Sequence, residues 1–261
     1  LIAGEQRLSL SSDVCPRGPW PFAGSTGAKT QLRCDGDIEI RFAFTKDFPA
    51  LLRDEDILDD QDWADISRQR NRDLRRRAIA TRVLLRNSLS DLLSDHVRAS
   101  QWRFVRTGYG KLVLAPNGQP QLHFSISHTR GVSAIVISKC VPVGIDIEAF
   151  DSEVDSDALG TGLSHREQII VDRLDLRARS KALLTLWTLK EAYTKLIGVG
   201  LSGHLPAYEF LADPARPGQY RGTEEHTCET RLESWFIDNQ HGAFWVSLAV
   251  GPAPIREFDA R

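Results

Sequence analysis

The sequence contains no methionine, even at its first position, and only four cysteines among 261 residues. Whether Leu1 is the native start is therefore open, as is a targeting segment lost upstream. The opening Leu1-Ile2-Ala3-Gly4-Glu5 lacks the basic segment and apolar stretch of a signal peptide. Cys15, Cys34, Cys140 and Cys228 form no C-x-x-C pair, and no histidine stands near one at zinc-finger spacing. That usage argues against a disulfide framework and a zinc finger, and it suits reduced thiols in the cytoplasm. No apolar run approaches the roughly 20 residues that span a bilayer, so no membrane segment is expected. Neither sign of charge dominates: a net charge of −2 gives no general pull toward nucleic acid. A P-loop and a G-x-S-x-G elbow are both missing.

What is present suffices for a sizeable core, since hydrophobic residues make up 41% of the chain. Residues 1–37, rich in Gly, Pro and Ser, read as an irregular N-terminal extension. The alternation of Ile38 to Phe44 predicts a strand, Asp47 to Asp62 an acidic connection, and Asp65 to Leu93 one long helix. A short strand follows at Trp102 to Val105, and turns at Gly108 to Lys111 and Pro116 to Gly118. Leu122 to Ser127, Ala134 to Ser138 and Val143 to Ile147 read as strands. Ser164 to Arg179 and Ala182 to Ile197 read as helices. Ser164 and Glu167 form a capping box for the first, and Gly198 ends the second. Tyr208 to Phe210, Thr227 to Phe236 and Phe244 to Val250 close the chain as strands. Each half, 38–142 and 143–251, thus offers a strand, a helix and further strands, with 252–261 as a tail.

Four segments carry candidate chemistry. On a strand, Val143-Gly144-Ile145-Asp146-Ile147-Glu148 sends Ile145 and Ile147 to one face and Asp146 and Glu148 to the other. Two carboxylates so placed suit a hard divalent cation, although an amphipathic strand with a solvated acidic face has the same pattern. On a helix, Trp187, Glu191 and Lys195 share one face at i, i+4 spacing, as a plain surface Glu–Lys pair also would. In Phe124 to Gly131, Ser127, His128, Thr129 and Arg130 gather near a glycine turn and can collect a phosphate. Adjacent strand residues face opposite ways, which opposes a Ser127–His128 nucleophilic couple. The fourth segment is basic: Arg68, Arg70, Arg72, Arg75, Arg76, Arg77, Arg82 and Arg86 could meet a polyphosphate or an acidic protein.

Taken in order, these segments resemble the 4'-phosphopantetheinyl transferases of the larger, surfactin-synthetase-activating (Sfp-type) class. The family's G-[IV]-D-x-E strand corresponds to Gly144-Ile145-Asp146-Ile147-Glu148. Its [FW]-x-x-K-E-[AS]-x-x-K helix corresponds to Trp187-Thr188-Leu189-Lys190-Glu191-Ala192-Tyr193-Thr194-Lys195. Upstream, Tyr109-Gly110-Lys111 and Phe124-Ser125-Ile126-Ser127-His128-Thr129 match two further motifs, with Leu112 in place of a usual proline and Ser125 in place of a common asparagine. Thr81-Arg82-Val83-Leu84-Leu85-Arg86 resembles a G-R-x-x-x-R region.

The resemblance implies an α+β fold of two similar α/β halves related by a pseudo-two-fold, with coenzyme A in the cleft between them. It implies Mg²⁺ on Asp146, Glu148 and Glu191, and catalytic roles for Glu191, Lys195 and Asp146. Coenzyme A would be bound by Arg82, Lys111, Ser127, His128, Lys190 and Lys195. The expected reaction transfers phosphopantetheine to a serine of an apo acyl or peptidyl carrier protein and releases 3',5'-adenosine bisphosphate. The expected protein is a cytoplasmic monomer that binds neither nucleic acid nor membrane. Rival readings are another Mg²⁺-dependent, nucleotide-using transferase, a non-catalytic binding module built on the arginine helix, and an inactive relative. Intact Asp146, Glu148, Lys190, Glu191 and Lys195 oppose the last.

Overall fold

The computed structural model describes residues 30–34, 38–93, 96–116, 118–150, 156–200, 203–224 and 227–251. The first part of the chain forms β1 (Thr30–Cys34), β2 (Ile38–Phe44), α1 (Phe48–Leu51), α2 (Asp60–Ser67) and α3 (Arg72–Leu92). It continues with β3 (Phe104–Arg106), β4 (Leu112–Leu114), β5 (His123–Thr129) and β6 (Val132–Ser138). The second part forms β7 (Val143–Ala149), α4 (Ser156–Gly160), α5 (His165–Val171) and α6 (Leu176–Ile197). After these come β8 (Phe210–Ala212), β9 (Gln219–Gly222), β10 (Arg231–Asn239) and β11 (Gly242–Val250).

Mixed sheets and helices make this an α+β fold. Among the described residues, one sheet has the order β1-β2-β6-β5, a second β7-β11-β10-β9-β8, and β3-β4 is a separate hairpin. Ile40 and Phe42 of β2, Val136 of β6, Ile145 and Ile147 of β7 and Val246 of β11 meet in one core between the two large sheets. The other faces are covered by helices. Val83 and Leu84 of α3 pack toward Ala43 and Ile135, while Leu189 and Ala192 of α6 pack toward Phe210, Leu232 and Ala249. Each helix is also tied to its sheet by a Thr–Ser hydroxyl contact: Thr81 Oγ1–Ser133 Oγ at 2.8 Å and Thr188 Oγ1–Ser247 Oγ at 2.7 Å.

Several sequence expectations change. The helix expected over Asp65 to Leu93 is two helices, because Asn71 turns out of helical geometry and its side chain accepts from the Asp73 and Leu74 amides. Arg82 and Arg86 of α3 then meet Asp62 of the shorter helix, a pairing that the bend allows. The acidic connection contains α1 and the start of α2, which Asp59 caps. The helix expected over Ser164 to Arg179 stops at Val171, and a new one begins after Asp175, whose carboxylate accepts from the Ala178 amide. The extension read as irregular contributes β1, paired antiparallel with β2. The expectations for 1–29, 35–37 and the 252–261 tail fall outside the described residues. Among the described residues, no helix is long and apolar enough to cross a membrane.

Candidate active site

The carboxylate strand β7 runs along the free edge of β5, and side chains join the two. The Ile145, Ile147 and Ala149 amides donate to Ser125 Oγ (3.3 Å), Ser127 Oγ (3.4 Å) and Thr129 Oγ1 (3.3 Å). The separation is 20 residues at every rung, so the strands run parallel. Two of these hydroxyls then donate onward: Ser127 Oγ to Asp146 Oδ1 at 2.7 Å, and Thr129 Oγ1 to Glu148 Oε2 at 2.9 Å. Asp146 is buried and Glu148 partly so.

Helix α6 supplies the rest. It passes so close to β7 that a Cβ on Gly144 would lie 2.0 Å from the Ala192 carbonyl oxygen and 2.6 Å from the Leu196 nitrogen. The glycine of the strand motif is thus required by the helix above it. This approach brings the Lys195 ammonium to 2.6 Å from Asp146 Oδ1 and 2.8 Å from Ser127 Oγ. Glu191, one turn earlier, is buried beside the same carboxylates. Burial first, and then the Asp146 charge, push its pKa up to about 7. Glu148 is raised for the same two reasons in the same order. Like charges held this close call for a cation.

That donor set fits a divalent metal in part. Asp146 Oδ2 is buried without a hydrogen-bond partner, an orphaned hard oxygen such as Mg²⁺ prefers. Among the described residues, no three His, Cys, Asp or Glu side chains are grouped as a ready metal cage. The Lys195 ammonium lies on Asp146 instead.

Beside this cluster opens a cleft of about 400 Å³ between α2, α3, the β3–β4 hairpin, β5 and the end of α6. Arg82, Arg106, Lys111, His128 and Lys195 line it against a single acid, Asp65. Strand alternation separates Ser127, which is buried against Asp146, from exposed His128 on the cleft wall. Partial desolvation, then the neighbouring Arg77, lower the His128 pKa. Arg82 lies over the Phe104 ring at 5.3 Å and pairs with Asp62 at 2.7 Å, so its charge is largely engaged within the protein. Lys111 donates to the Lys195 and Leu196 carbonyls at 2.6 and 3.1 Å, at the C-terminal end of α6. Burial lowers its pKa to about 8.

Lys190 is not brought to the cleft. It is fully buried on another side of α6, bound to Glu167 Oε2 at 2.6 Å and to the Gly162 and Leu205 carbonyls. A helix turns about 100° per residue, so the neighbour of a site residue in sequence faces elsewhere. Sequence reasoning counted Thr129 among the phosphate collectors, Arg77 in the basic segment and Ser125 only as a stand-in for an asparagine, and it gave none of them a part in aiming the carboxylates. Arg77 is half-buried, with Nη1 3.5 Å from the Thr129 carbonyl. The signal for the hydroxyls was the alternation of Ser125, Ser127 and Thr129 along β5, legible only once a partner strand is known.

Comparison with known proteins agrees with the motif resemblance. The profile of the 4'-phosphopantetheinyl transferase superfamily matches residues 142–249, the span holding Asp146, Glu148, Glu191 and Lys195. The chain is 29% identical over 147 residues to the 4'-phosphopantetheinyl transferase HetI of Nostoc sp., covering 56% of this chain and 61% of that protein. It is 31% identical over 137 residues to the 4'-phosphopantetheinyl transferase gsp of Aneurinibacillus migulanus, covering 52% and 54%. A third relative is the L-aminoadipate-semialdehyde dehydrogenase-phosphopantetheinyl transferase of Xenopus laevis, 26% identical over 191 residues, covering 67% and 62%. The chain thus spans between 54% and 62% of the length of these relatives.

Proposed function

We propose that this protein transfers the 4'-phosphopantetheine arm of coenzyme A to a serine of an apo acyl or peptidyl carrier protein, with Mg²⁺. The observation that carries the reading is the convergence of Asp146, Glu148, Glu191 and Lys195, the last of which also lines a cleft walled by cationic side chains. The relatives' names supply the group transferred. Arg82, Lys111, His128 and Lys195, all lining the cleft, are the proposed contacts of the nucleotide and its phosphates, whereas Ser127 is left out because its hydroxyl is taken up by Asp146, Lys195 and the Ile147 amide. Lys190 is left out because it is buried away from the cleft, bound to Glu167.

Asp146, Glu148 and Glu191 would hold Mg²⁺, which when bound neutralises charge on the pyrophosphate. Glu191 takes the proton of the carrier serine hydroxyl. The serine oxygen forms a bond to the β-phosphorus, and the bond from that phosphorus to the bridging oxygen breaks. 3',5'-Adenosine bisphosphate leaves, with Lys195 offsetting its new charge.

The same proposal treats 38–142 and 143–251 as two copies of one unit around the cleft. Support comes from topology: β2 pairs with β6, which pairs with β5, as β7 pairs with β11, which pairs with β10. Superposing the Thr81–Ser133 and Thr188–Ser247 ties equates Ala43 with Asp146, since each pairs with the serine of its tie. Leu84 then stands where Glu191 does, and one half alone keeps the acids. Mass spectrometry of several apo-carriers incubated with coenzyme A and Mg²⁺ tests the function. A phosphopantetheine mass shift that disappears with Asp146→Ala is expected; no shift on any carrier rejects it.

A further inference from the structure

Hydroxyl chemistry gives the β5–β7 junction a direction. A serine or threonine hydroxyl has one proton to donate and two lone pairs to accept with. At each rung the hydroxyl accepts from a β7 amide, at 3.3 to 3.4 Å. Its proton is then free for the side chain of the residue before that amide. These preceding residues are Gly144, Asp146 and Glu148. The first has no side chain, and the other two are carboxylates that receive the bond. The junction thus aims both carboxylates by repeating one device.

The two carboxylates differ in how firmly they are held. Asp146 Oδ1 is gripped by both Ser127 and Lys195, at 2.7 and 2.6 Å. Among the described residues, Glu148 has Thr129 as its one side-chain hydrogen-bond partner. Thr129 is itself fixed: the Ala149 amide binds its hydroxyl, and Arg77 reaches its carbonyl. We propose that Thr129 is a positioning residue that holds Glu148 toward a divalent cation shared with Asp146. The inference rests on the transferase reading for the cation's role, but it concerns how this chain aims its own carboxylate.

Three variants test it: Thr129→Val keeps the shape and loses the hydroxyl, Thr129→Ser keeps the hydroxyl, and Glu148→Gln removes the charge. Mn²⁺ is titrated by electron paramagnetic resonance into each protein, with and without coenzyme A, beside the Mg²⁺ concentration that half-saturates transfer. Outer partners of metal ligands are worth about ten- to a hundredfold in affinity. Thr129→Val is expected to weaken Mn²⁺ about tenfold and Thr129→Ser less than about threefold. Adding Thr129→Val to Glu148→Gln should then change little. Should the valine variant fail to fold, Thr129→Ala gives the same comparison. Unchanged Mn²⁺ affinity in the valine variant overturns the inference, as do equal losses with valine and serine, which would mean a packing role. Wild-type protein that binds no Mn²⁺ in either condition overturns it too. Wild-type protein that shows the predicted Mn²⁺ pattern but modifies no carrier supports it and rejects the transferase reading alone.

Discussion

Lys111 is a cation held where water is scarce, and its proton reports on that. Burial lowers its pKa from the ordinary 10.5 to about 8, although the ammonium caps two carbonyls of α6. The folded chain therefore releases this proton before the unfolded chain does. Between these two values the unfolded state binds more protons, so the contribution of Lys111 to stability rises with pH. It is fully present above the unfolded pKa and lost as pH falls through the folded one. Tyr193 and Tyr220, pushed up to about 12, give the opposite slope beyond about pH 10, which sets the upper end of the useful range. Melting temperatures of wild type and Lys111→Met, compared from pH 7.5 to about 10, should move in favour of wild type as pH rises. A difference independent of pH would mean that the ammonium is better hydrated than its surroundings imply.

At the scale of elements, the site depends on how closely α6 lies on β7. Gly144→Ala puts a methyl group into the helix backbone, which cannot yield as a side-chain tip would. Overpacking of this kind costs about 1–3 kcal/mol. The helix must lift, carrying Glu191 and Lys195 away from Asp146. Both a lower melting temperature and a loss of transfer are expected, and a variant with normal transfer would refute the geometric requirement. Lys190→Met makes the contrasting case. It leaves Glu167 buried without its cation, and breaking such a pair costs about 3–5 kcal/mol. Whatever folds should keep the wild-type KM for coenzyme A; a raised KM would return Lys190 to the binding site. This residue also marks where sequence reading stops. The K-E pair of the helix motif sits together in the text, yet Lys190 braces α5 while Glu191 is buried beside Asp146 and Glu148. Strand β2 and the Ser164–Glu167 cap were legible because period and capping chemistry are local. β9 gave too short a pattern, and Asn71 was hidden because the apolar stripe continues past it. The hydroxyl rungs needed a partner strand that periodicity cannot name.

Across the whole molecule, a net charge of −2 conceals an uneven distribution. Arg70, Arg72 and Arg75 are exposed around the start of α3, next to the exposed Leu74, whereas Arg82 and Arg86 are turned inward to Asp62. Under the transferase proposal the outward group would meet an acidic carrier, and charge attraction there is screened within about 8 Å at physiological ionic strength. KM for the carrier should therefore rise with salt more steeply than KM for coenzyme A. A flat carrier KM in steady-state assays at two salt concentrations would mean that apolar contact governs docking. The β5–β7 rungs carry one more consequence, in the order of assembly. They join residues 20 apart, whereas Lys195 reaches Asp146 across 49 and Lys111 reaches Lys195 across 84. Short loops close at lower entropic cost, so the rungs belong early on the folding route and the lysine contacts late. Removing a rung with Ser125→Ala should slow refolding, while Lys111→Met should mainly hasten unfolding. In stopped-flow traces, a lysine variant that slowed refolding instead would reverse this order. On this route the acids are aligned while the chain is still assembling, and the cations that answer them arrive last.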